Sequence, residues 1–427
     1  MTMDRRGFLR ASGTLALAFG GLRQAHAAPD AGYGELRRDP ARVLDLPPGF
    51  RYTTISRTGE TMDDGLFVPA AHDGMAAFAG PDGRTLVVRN HELSARASDG
   101  PFGRRKSPPA DFDAAGLFDP AGSGGTTTLV FDTKAQRLER HFLSLGGTLR
   151  NCAGGPTPWG SWLSCEETVV AGHGWVFEVP ATAEPRRADP VPLKAMGRFN
   201  HEAVAIDPAT GIAYLTEDRP DGLLYRFLPE EPGRLRRGGR LQALALRDRR
   251  GADTSNAGKG PSIREREPLA VDWIDLEDVE SPGDDLRKQG YEKGAARFVR
   301  GEGIWHGGGE IYFACTTGGR NRKGQIWRLL PARNAVELFV EPNDAARLDN
   351  ADNLTVAPWG DLLVCENGSK GNAVVGITPE GRIYPFARNA KSASEFAGGC
   401  FSPDGTTFFV NIQKDGLTLA ITGPWKA

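Results

Sequence analysis

The sequence predicts an all-β fold, a six-bladed β-propeller, on three observations. The chain has 427 residues with 55 glycines and 30 prolines, a content that favours many turns. A pattern of turn, strand and polar residues recurs six times along the chain. Two of the copies, residues 158–166 and 358–366, share Pro-Trp-Gly, a leucine and Cys-Glu without a gap. Copies spaced by several tens of residues are typical of propellers and solenoids.

Each copy opens with a polar or glycine-rich segment and closes with polar residues after a hairpin. The opening segments begin at His72, Asn151, Asn200, Arg300, Asp349 and Ala397, and the copies close at Glu92, Cys165, Glu217, Cys315, Cys365 and Asn411. A strand, a turn and a returning strand bring the chain back to the end of the sheet from which it started. We therefore expect all the opening and closing residues to lie at one mouth of the central channel. A β-sandwich or two smaller β domains are the alternatives.

The longest interval between copies predicts a helical and loop insertion between blades three and four. It covers about residues 230–300, because a four-stranded blade needs only about 40–50 residues. Residues 281–298 are predicted to form a helix with Ser281 as its N-cap. The insertion is either a lid or rim element of the mouth or a surface decoration.

The N-terminus predicts export in the folded state. Arg5 and Arg6 precede a soft apolar run over residues 11–22 and an Ala-x-Ala site at residues 25–27. These features describe a twin-arginine signal peptide over residues 1–27. We expect a mature chain of residues 28–427 that forms a single propeller domain, uses the twin-arginine export machinery and resides in the periplasm or is secreted.

Composition excludes several classes of function. With 52 Lys and Arg against 54 Asp and Glu, the net charge of −2 gives no support for a nucleic-acid partner. No apolar run reaches the roughly 20 residues that a membrane span requires. Nothing suggests a coiled coil, so a monomer is expected. No Walker sequence, dinucleotide fingerprint or Gly-x-Ser-x-Gly elbow is present.

Acidic residues are predicted to converge on the mouth. They are Asp73, Glu92, Glu166 or Glu167, Glu202, Glu217 or Asp218, Glu302, Asp352 and Glu366. Carboxylates this close raise one another's pKa unless cations compensate. Oxygen ligands suit calcium, and a thiolate among them suits iron or zinc. Cys152 begins a strand at the mouth and is either this thiolate or a buried structural cysteine. Arg300, the one cation in an opening motif, either neutralises a carboxylate or binds an anionic substrate.

Five segments together resemble the PhoX-type alkaline phosphatases. They are the twin-arginine leader, Asn90-His91-Glu92, the run over residues 151–167, residues 197–202 and residues 300–303. The resemblance implies a six-bladed propeller and phosphomonoester hydrolysis at ferric iron and calcium ions joined by an oxo bridge, with a metal-bound oxo or hydroxide as nucleophile. The chain looks shorter than the full-length phosphatases, and residues 145–149 offer no carboxylate.

The resemblance also implies roles for individual residues. Arg300 binds the phosphate, and Cys152 is the thiolate ligand of an iron. The metal carboxylates are Glu92, Glu167, Glu202 and Glu302, with Asp218 and Asp352 carried by looser motifs, and Glu166 is retained beside Glu167 as a candidate ligand. His91 and His201 are expected to have packing or supporting roles, because no H-x-x-x-H spacing is present.

Two other functions compete with this one. The first is a calcium-dependent lactonase or phosphotriesterase, which needs no thiolate and predicts that Cys152→Ser spares activity. The second is a non-catalytic, calcium-stabilised binding propeller, which predicts that Arg300→Ala changes neither metal content nor turnover.

Overall fold

The computed structural model describes residues 32–110, 112–258, 262–369 and 371–426, so the signal peptide predicted at residues 1–27 lies outside the described residues. Within these ranges the chain forms 25 strands and one α-helix. The first strands are β1 Leu44–Asp45, β2 Arg51–Arg57, β3 His72–Ala79, β4 Arg84–His91, β5 Gly124–Asp132, β6 Arg137–Thr148, β7 Asn151–Pro156, β8 Ser161–Glu166 and β9 Val176–Pro180. They are followed by β10 His201–Ile206, β11 Ala213–Glu217, β12 Leu224–Pro229, β13 Gly239–Leu246, β14 Leu269–Asp275, β15 Gly301–Gly307, β16 Glu310–Cys315, β17 Gln325–Leu330 and β18 Ala335–Val340. The last are β19 Ala351–Val356, β20 Leu362–Glu366, β21 Ala373–Ile377, β22 Ile383–Asn389, β23 Phe396–Phe401, β24 Thr407–Ile412 and β25 Leu417–Thr422; the helix is α1 Leu286–Glu292.

The strands form antiparallel sheets around a central channel. The sheets are β3 to β6, β7 to β9, a nine-stranded sheet with β10 and β15 at its edges, β19 to β22 with β1, and β23 to β25 with β2. The innermost strands β3, β7, β10, β15, β19 and β23 pack one against the next, and β23 returns to β3. The early strand β2 pairs with β25, so the two ends of the chain close the ring together. The predicted all-β propeller architecture is confirmed.

The sequence forms this ring because its strands are apolar on both faces where sheets stack. Every residue of β8 is buried, since β8 has a sheet on either side. Leu163 of β8 packs with Val204 of β10 and with Phe227, and such contacts fill the space between neighbouring sheets. Near the axis the backbones approach so closely that a Cβ on Gly155 would lie 1.7 Å from the carbonyl oxygen of Val204. Glycine is therefore required where β7 meets β10.

The region of residues 230–300 differs from the predicted insertion. It contributes β13 as the fourth strand of its sheet and β14 as a bridge to β18. The helix spans Leu286–Glu292 rather than residues 281–298, and Asp285, not Ser281, occupies its N-cap position. Ser281 and Asp284 have φ of 34° and 52°, which is incompatible with a helix. Among the described residues no helix combines the length and apolar character needed to cross a bilayer.

Candidate metal centre

Each innermost strand begins with the same irregularity. One of its first two residues makes the last pair with the end of the next strand before the register shifts and pairing resumes. These pairs, which we call the first pairs, are His72 with His91, Asn151 with Glu166, His201 with Glu217, Gly301 with Cys315, Ala351 with Glu366 and Ala397 with Asn411. In β23 the pair of Phe396 with Ile412 precedes Ala397 with Asn411. Opening and closing residues therefore lie at the same end of each sheet, as predicted. The irregularity is a β-bulge, which re-aims a side chain and is common beside functional sites.

The residues that follow these first pairs form what we call the first ring. Its members are Asp73, Cys152, Glu202, Glu302, Asp352 and Gly398. All except Gly398 line one cavity at the mouth of the channel. Gly398 has a φ of 66°, and a Cβ there would lie 2.4 Å from the carbonyl oxygen of Asp73. The sixth position consequently supplies no side chain.

Two further rings arise from one repeated backbone hydrogen bond. Beside each of the six innermost strands, the first residue after the neighbouring second strand donates its amide N–H to the carbonyl oxygen of the residue just before the innermost strand, over 2.9–3.2 Å. The donors, which we call the second ring, are Glu92, Glu167, Asp218, Thr316, Asn367 and Gln413. The acceptors, the third ring, are Ala71, Arg150, Asn200, Arg300, Asn350 and Glu395.

Members of the three rings line a cavity of about 200 Å³. Its polar lining is Asp73, Glu92, Arg150, Cys152, Glu167, Glu202, Asp218, Arg300, Glu302, Asp352, Asn367, Glu395 and Gln413. Eight carboxyl groups and one thiol thus face two guanidinium groups. Of the residues predicted for the site, the structure brings together Asp73, Glu92, Cys152, Glu167, Glu202, Asp218, Arg300, Glu302 and Asp352, whereas Glu166, Glu217 and Glu366 do not line the cavity.

Three overlapping groups of side chains offer metal-ligand geometry. The groups are Asp73, Glu92 and Cys152; Cys152, Glu167 and Glu202; and Glu202, Glu302 and Asp352. Within each group the potential ligand atoms lie within 4.8 Å of one another. Cys152 joins the first group to the second, and Glu202 joins the second to the third. The groups therefore form a continuous arc of donors.

The electrostatics of the arc fit cations. Glu202 is 1% exposed, and its Oε2 has no hydrogen-bond partner. Burial, followed by the neighbouring carboxylates, raises the pKa of Glu202, Glu302 and Asp352 well above the usual range. The pKa of Glu167 is raised to about 8, chiefly by burial. Burial and the surrounding carboxylates also raise the pKa of the Cys152 thiol. Bound cations reverse these shifts and ionise their ligands.

Two arginines counter part of this negative charge. Arg300 donates from Nε to Asp218 Oδ1 over 2.6 Å and from Nη2 to Asp218 Oδ2 over 2.9 Å. Its Nη2 also donates to Glu302 Oε1 over 2.8 Å. Arg150 contacts Glu92 and Glu167 in the same manner. Arg300 is therefore not the one cation of the opening motifs.

Sequence reasoning missed Arg150, Glu395 and Gln413 as lining residues. Gln413 donates to Asp73 Oδ2 over 2.7 Å and to Glu92 Oε2 over 3.0 Å. The position of each residue within its copy of the repeat could have identified all three. Each occupies the same ring position as a residue that was predicted for the site in another copy. Arg150 stands one residue before β7 as Arg300 stands one residue before β15.

Glu166 is the correction among the predicted ligands. Its side chain is fully buried and faces away from the cavity. Oε1 accepts from the amide of Leu149 over 2.8 Å and contacts His173 Nδ1 at 2.7 Å. Oε2 accepts from the amides of Gly174 and Trp175 over 2.8 and 3.2 Å. Because successive side chains along a strand point to opposite faces, only Glu167 of this pair lines the cavity.

The two histidines have packing environments, as expected. His91 contacts the carbonyl oxygen of Ala70 and the hydroxyl of Thr127, each at 2.9 Å. His201 contacts the carbonyl oxygen of Gly197 at 2.9 Å and stacks on Phe199 with ring centroids 3.6 Å apart. Neither lines the cavity.

Comparison with known proteins agrees with this geometry. Residues 31–416 match the model of the family described as alkaline phosphatase PhoX. The structure is similar to that of Pseudomonas fluorescens PhoX in complex with vanadate, a transition state analogue, at 17% identity, over 90% of this chain and 96% of that chain, with a TM-score of 0.67. It is more distantly similar to a gluconolactonase from Xanthomonas campestris, at 11% identity, over 88% of this chain and 99% of that one, with a TM-score of 0.40. No curated protein sequence matches the chain significantly.

Proposed function

The chain belongs to the alkaline phosphatase PhoX family and is a metal-dependent phosphomonoester hydrolase, and we propose that the cavity at the channel mouth is its catalytic centre. The observation that carries the proposal is the arc of three ligand groups joined through Cys152 and Glu202. Phosphoryl transfer depends mainly on positioning and on stabilising spread negative charge. A cavity with many metal ligands and two guanidinium groups supplies both.

From the chemistry of the donors we infer that different metals bind different parts of the arc. The two groups that contain Cys152 offer a thiolate and carboxylates, a set that suits ferric iron. The group of Glu202, Glu302 and Asp352 offers oxygen alone, which suits calcium. Glu92, Glu167 and Asp73 complete the iron side, and Asp218 lies beside Arg300 as a further carboxylate of the centre. When bound, such cations polarise the phosphoryl oxygens and offset the charge that develops during transfer.

The residues of the chain have separate tasks in this reaction. Arg300 binds Asp218 and Glu302 through Nε and Nη2. Its Nη1 makes no hydrogen bond within the described residues and can donate to a phosphoryl oxygen. No hydroxyl side chain lines the cavity among the described residues. We propose that water supplies the attacking oxygen, while the protein orients the phosphate ester and its carboxylates hold the metal ions.

The architecture and location form part of the same proposal. The ring of innermost strands supports six blades, with the nine-stranded sheet counted as two blades that β14 connects. We propose one propeller domain over residues 28–427, a monomer that the twin-arginine machinery exports by residues 1–27. It then hydrolyses small phosphate esters in the periplasm or outside the cell. The family match and the sequence of the N-terminus support this location.

Metal analysis of protein exported through its own signal tests the proposed centre. We expect mass spectrometry to find both iron and calcium, and we expect Cys152→Ser to lose the iron together with most phosphomonoesterase activity. Cys315→Ser is the matched control, because Cys315 is buried in the core between sheets and does not line the cavity. Calcium without iron, or full activity in folded Cys152→Ser, would contradict the thiolate role.

A further inference from the structure

Arg150 is the counterpart of Arg300 in the pseudosymmetry of the ring. Both belong to the third ring, and both have a positive φ, 46° and 50°. The carbonyl oxygen of each accepts the amide N–H of the second-ring residue of its own sheet, Glu167 or Thr316. The two backbones are thus held in the same way, which directs both side chains into the same cavity.

The side chains repeat one contact pattern as well. Each arginine binds the second-ring carboxylate of the preceding blade, which is Glu92 for Arg150 and Asp218 for Arg300. Each binds one carboxylate of its own blade, which is Glu167 for Arg150 and Glu302 for Arg300. The second partner of Arg150 is the second-ring residue Glu167, but the equivalent residue beside Arg300 is Thr316. Because Thr316 has no carboxylate, Arg300 binds the first-ring residue Glu302 instead.

Both arginines keep the same donor available. Arg150 uses Nε and Nη2, with Nε donating to the carbonyl oxygen of Glu167 over 3.1 Å. Arg300 also uses Nε and Nη2. Neither Nη1 donates a hydrogen bond to another residue in the described part of the chain. The side chains are 41% and 36% exposed, so a ligand in the cavity can reach them.

The position of Arg150 places this donor beside a different part of the centre. Its partners Glu92 and Glu167 belong to the two ligand groups that contain Cys152, whereas Glu302, a partner of Arg300, belongs to the group with Glu202 and Asp352. A phosphate dianion is repelled by the eight carboxyl groups of the cavity. It therefore needs a cationic contact wherever one of its oxygens faces these groups. Arg150 can supply such a contact where Arg300 does not.

We propose that Arg150 is a second substrate-binding residue, which donates from Nη1 to the phosphoryl group together with Arg300. The inference rests on the proposed function and assigns the substrate a second guanidinium contact. The partner carboxylates hold the planar fork in place, so substrate binding does not have to order it. Arg150 then binds the phosphate itself, rather than acting only as a counter-ion of Glu92 and Glu167.

Steady-state kinetics of the metal-loaded enzyme test the assignment. We expect Arg150→Gln to raise KM and the inhibition constant of inorganic phosphate by about tenfold to a hundredfold, the effect of losing a charge-assisted hydrogen bond. Iron and calcium per chain are expected to stay at the wild-type level. Arg150→Lys keeps the charge but not the fork, so a smaller rise is expected.

Arg328→Gln is the matched control. Arg328 also binds two carboxylates, Glu310 over 3.2 Å and Glu337 over 2.6 Å, but it does not line the cavity. We expect its kinetics to equal those of the wild type. Arg300→Gln serves as the reference for a phosphate-binding arginine.

The outcomes separate the two proposals. An unchanged inhibition constant for phosphate in folded Arg150→Gln, or a loss of metal that accounts for the whole effect, would overturn the role of Arg150. If Arg150→Gln does not fold, wild-type KM with full metal content in Arg150→Lys overturns it instead. Failure of the proposed function looks different, because the wild type would then neither hydrolyse phosphomonoesters nor bind inorganic phosphate.

Discussion

Two sets of buried carboxylates, one lining the channel mouth and one at the ends of the adjacent strands, differ in the groups that donate hydrogen bonds to them. Glu166, Glu217 and Glu366 close the strands β8, β11 and β20. Each of them accepts at least one backbone amide of a nearby loop, such as Leu223 for Glu217 and Asp349 for Glu366, although Oε1 of Glu217 has no hydrogen-bond partner among the described residues and lies 3.6 Å from Arg287 Nη1. We call them the closing glutamates. Among the described residues no backbone amide donates to Glu202, Glu302 or Asp352 of the first ring. Their carboxylate oxygens contact other side chains or have no hydrogen-bond partner there.

The difference shows that burial alone does not mark a functional carboxylate. When a buried carboxylate accepts several amide N–H groups, these hydrogen bonds replace much of the hydration that it loses. They also hold a loop against its strand. A buried carboxylate without donors destabilises the fold unless a cation arrives. The closing glutamates therefore stabilise the fold, whereas Glu202, Glu302 and Asp352 keep an unfavourable arrangement that a metal centre relieves.

The largest expected effect is the loss of activity in Glu202→Gln. Glu202 belongs to two of the three ligand groups, so its replacement removes a shared donor from both. We expect a fall in kcat/KM of at least about a thousandfold, because metal stabilisation of a phosphoryl-transfer transition state is worth several kcal/mol. Metal content, measured by mass spectrometry, is expected to fall with it.

Glu217→Gln is the control for this prediction, because Glu217 is equally buried but bonds Tyr225 Oη over 2.7 Å and lies outside the cavity lining. Wild-type metal content per folded chain is expected. The comparison between the two sets fails if Glu202→Gln keeps its metals while Glu217→Gln loses them.

The next effect is the pH dependence of stability after metal removal. The pKa of Glu167 is raised to about 8, those of Glu202, Glu302 and Asp352 are raised well above their usual values, and those of Glu217 and Glu366 are raised to about 7, so the folded metal-free chain holds protons that the unfolded chain has released. Stability is then highest near pH 4–5 and falls as the pH rises towards 8. We expect a loss on the order of several kcal/mol between pH 5 and 8 in chelator, from urea unfolding.

Loaded protein is expected to behave in the opposite way, because cations bind the ionised ligands and lose affinity as these are protonated. Glu167→Gln in chelator should remove the part of the slope nearest pH 8. A metal-free protein that becomes more stable from pH 5 to 8 would show that ionisation of the first-ring carboxylates does not destabilise the folded chain.

The repeat in the sequence made the architecture and most of the cavity predictable. Pro-Trp-Gly and Cys-Glu mark equivalent strands, so the hairpin argument located the mouth and brought Cys152, Glu202 and Glu302 to it. The choice between Glu166 and Glu167 was not available from the sequence, because it depends on which residue pairs with Asn151. The β-bulge after that pair has no sequence mark. Arg150 was missed although it has the same offset from Cys152 as Arg300 has from Glu302, because its contacts with Glu92 and Glu167 are visible only in the fold.

The smallest effect that we predict distinguishes these adjacent glutamates in metal-free protein. Glu166→Gln presents an amide NH₂ to a site built from the N–H groups of Leu149, Gly174 and Trp175. We expect a loss of about 3 kcal/mol in the free energy of unfolding at pH 8, since at least one buried donor is left unpaired and a charged acceptor is lost. Glu167→Gln removes one of several like charges and is expected to be neutral or stabilising under the same conditions.

Urea unfolding of both variants in chelator, beside the wild type, measures this difference. Two substitutions of the same type at consecutive positions are then expected to differ in their effect on stability. Glu166→Gln removes an acceptor of buried amides and destabilises the fold, whereas Glu167→Gln removes a charge that repels its neighbours and is neutral or stabilising. Equal destabilisation by both would mean that Arg150 stabilises Glu167 as fully as the amides stabilise Glu166. The ion pair of Arg150 would then be a structural element in its own right, and the division between closing glutamates and ring carboxylates would not extend to the second ring.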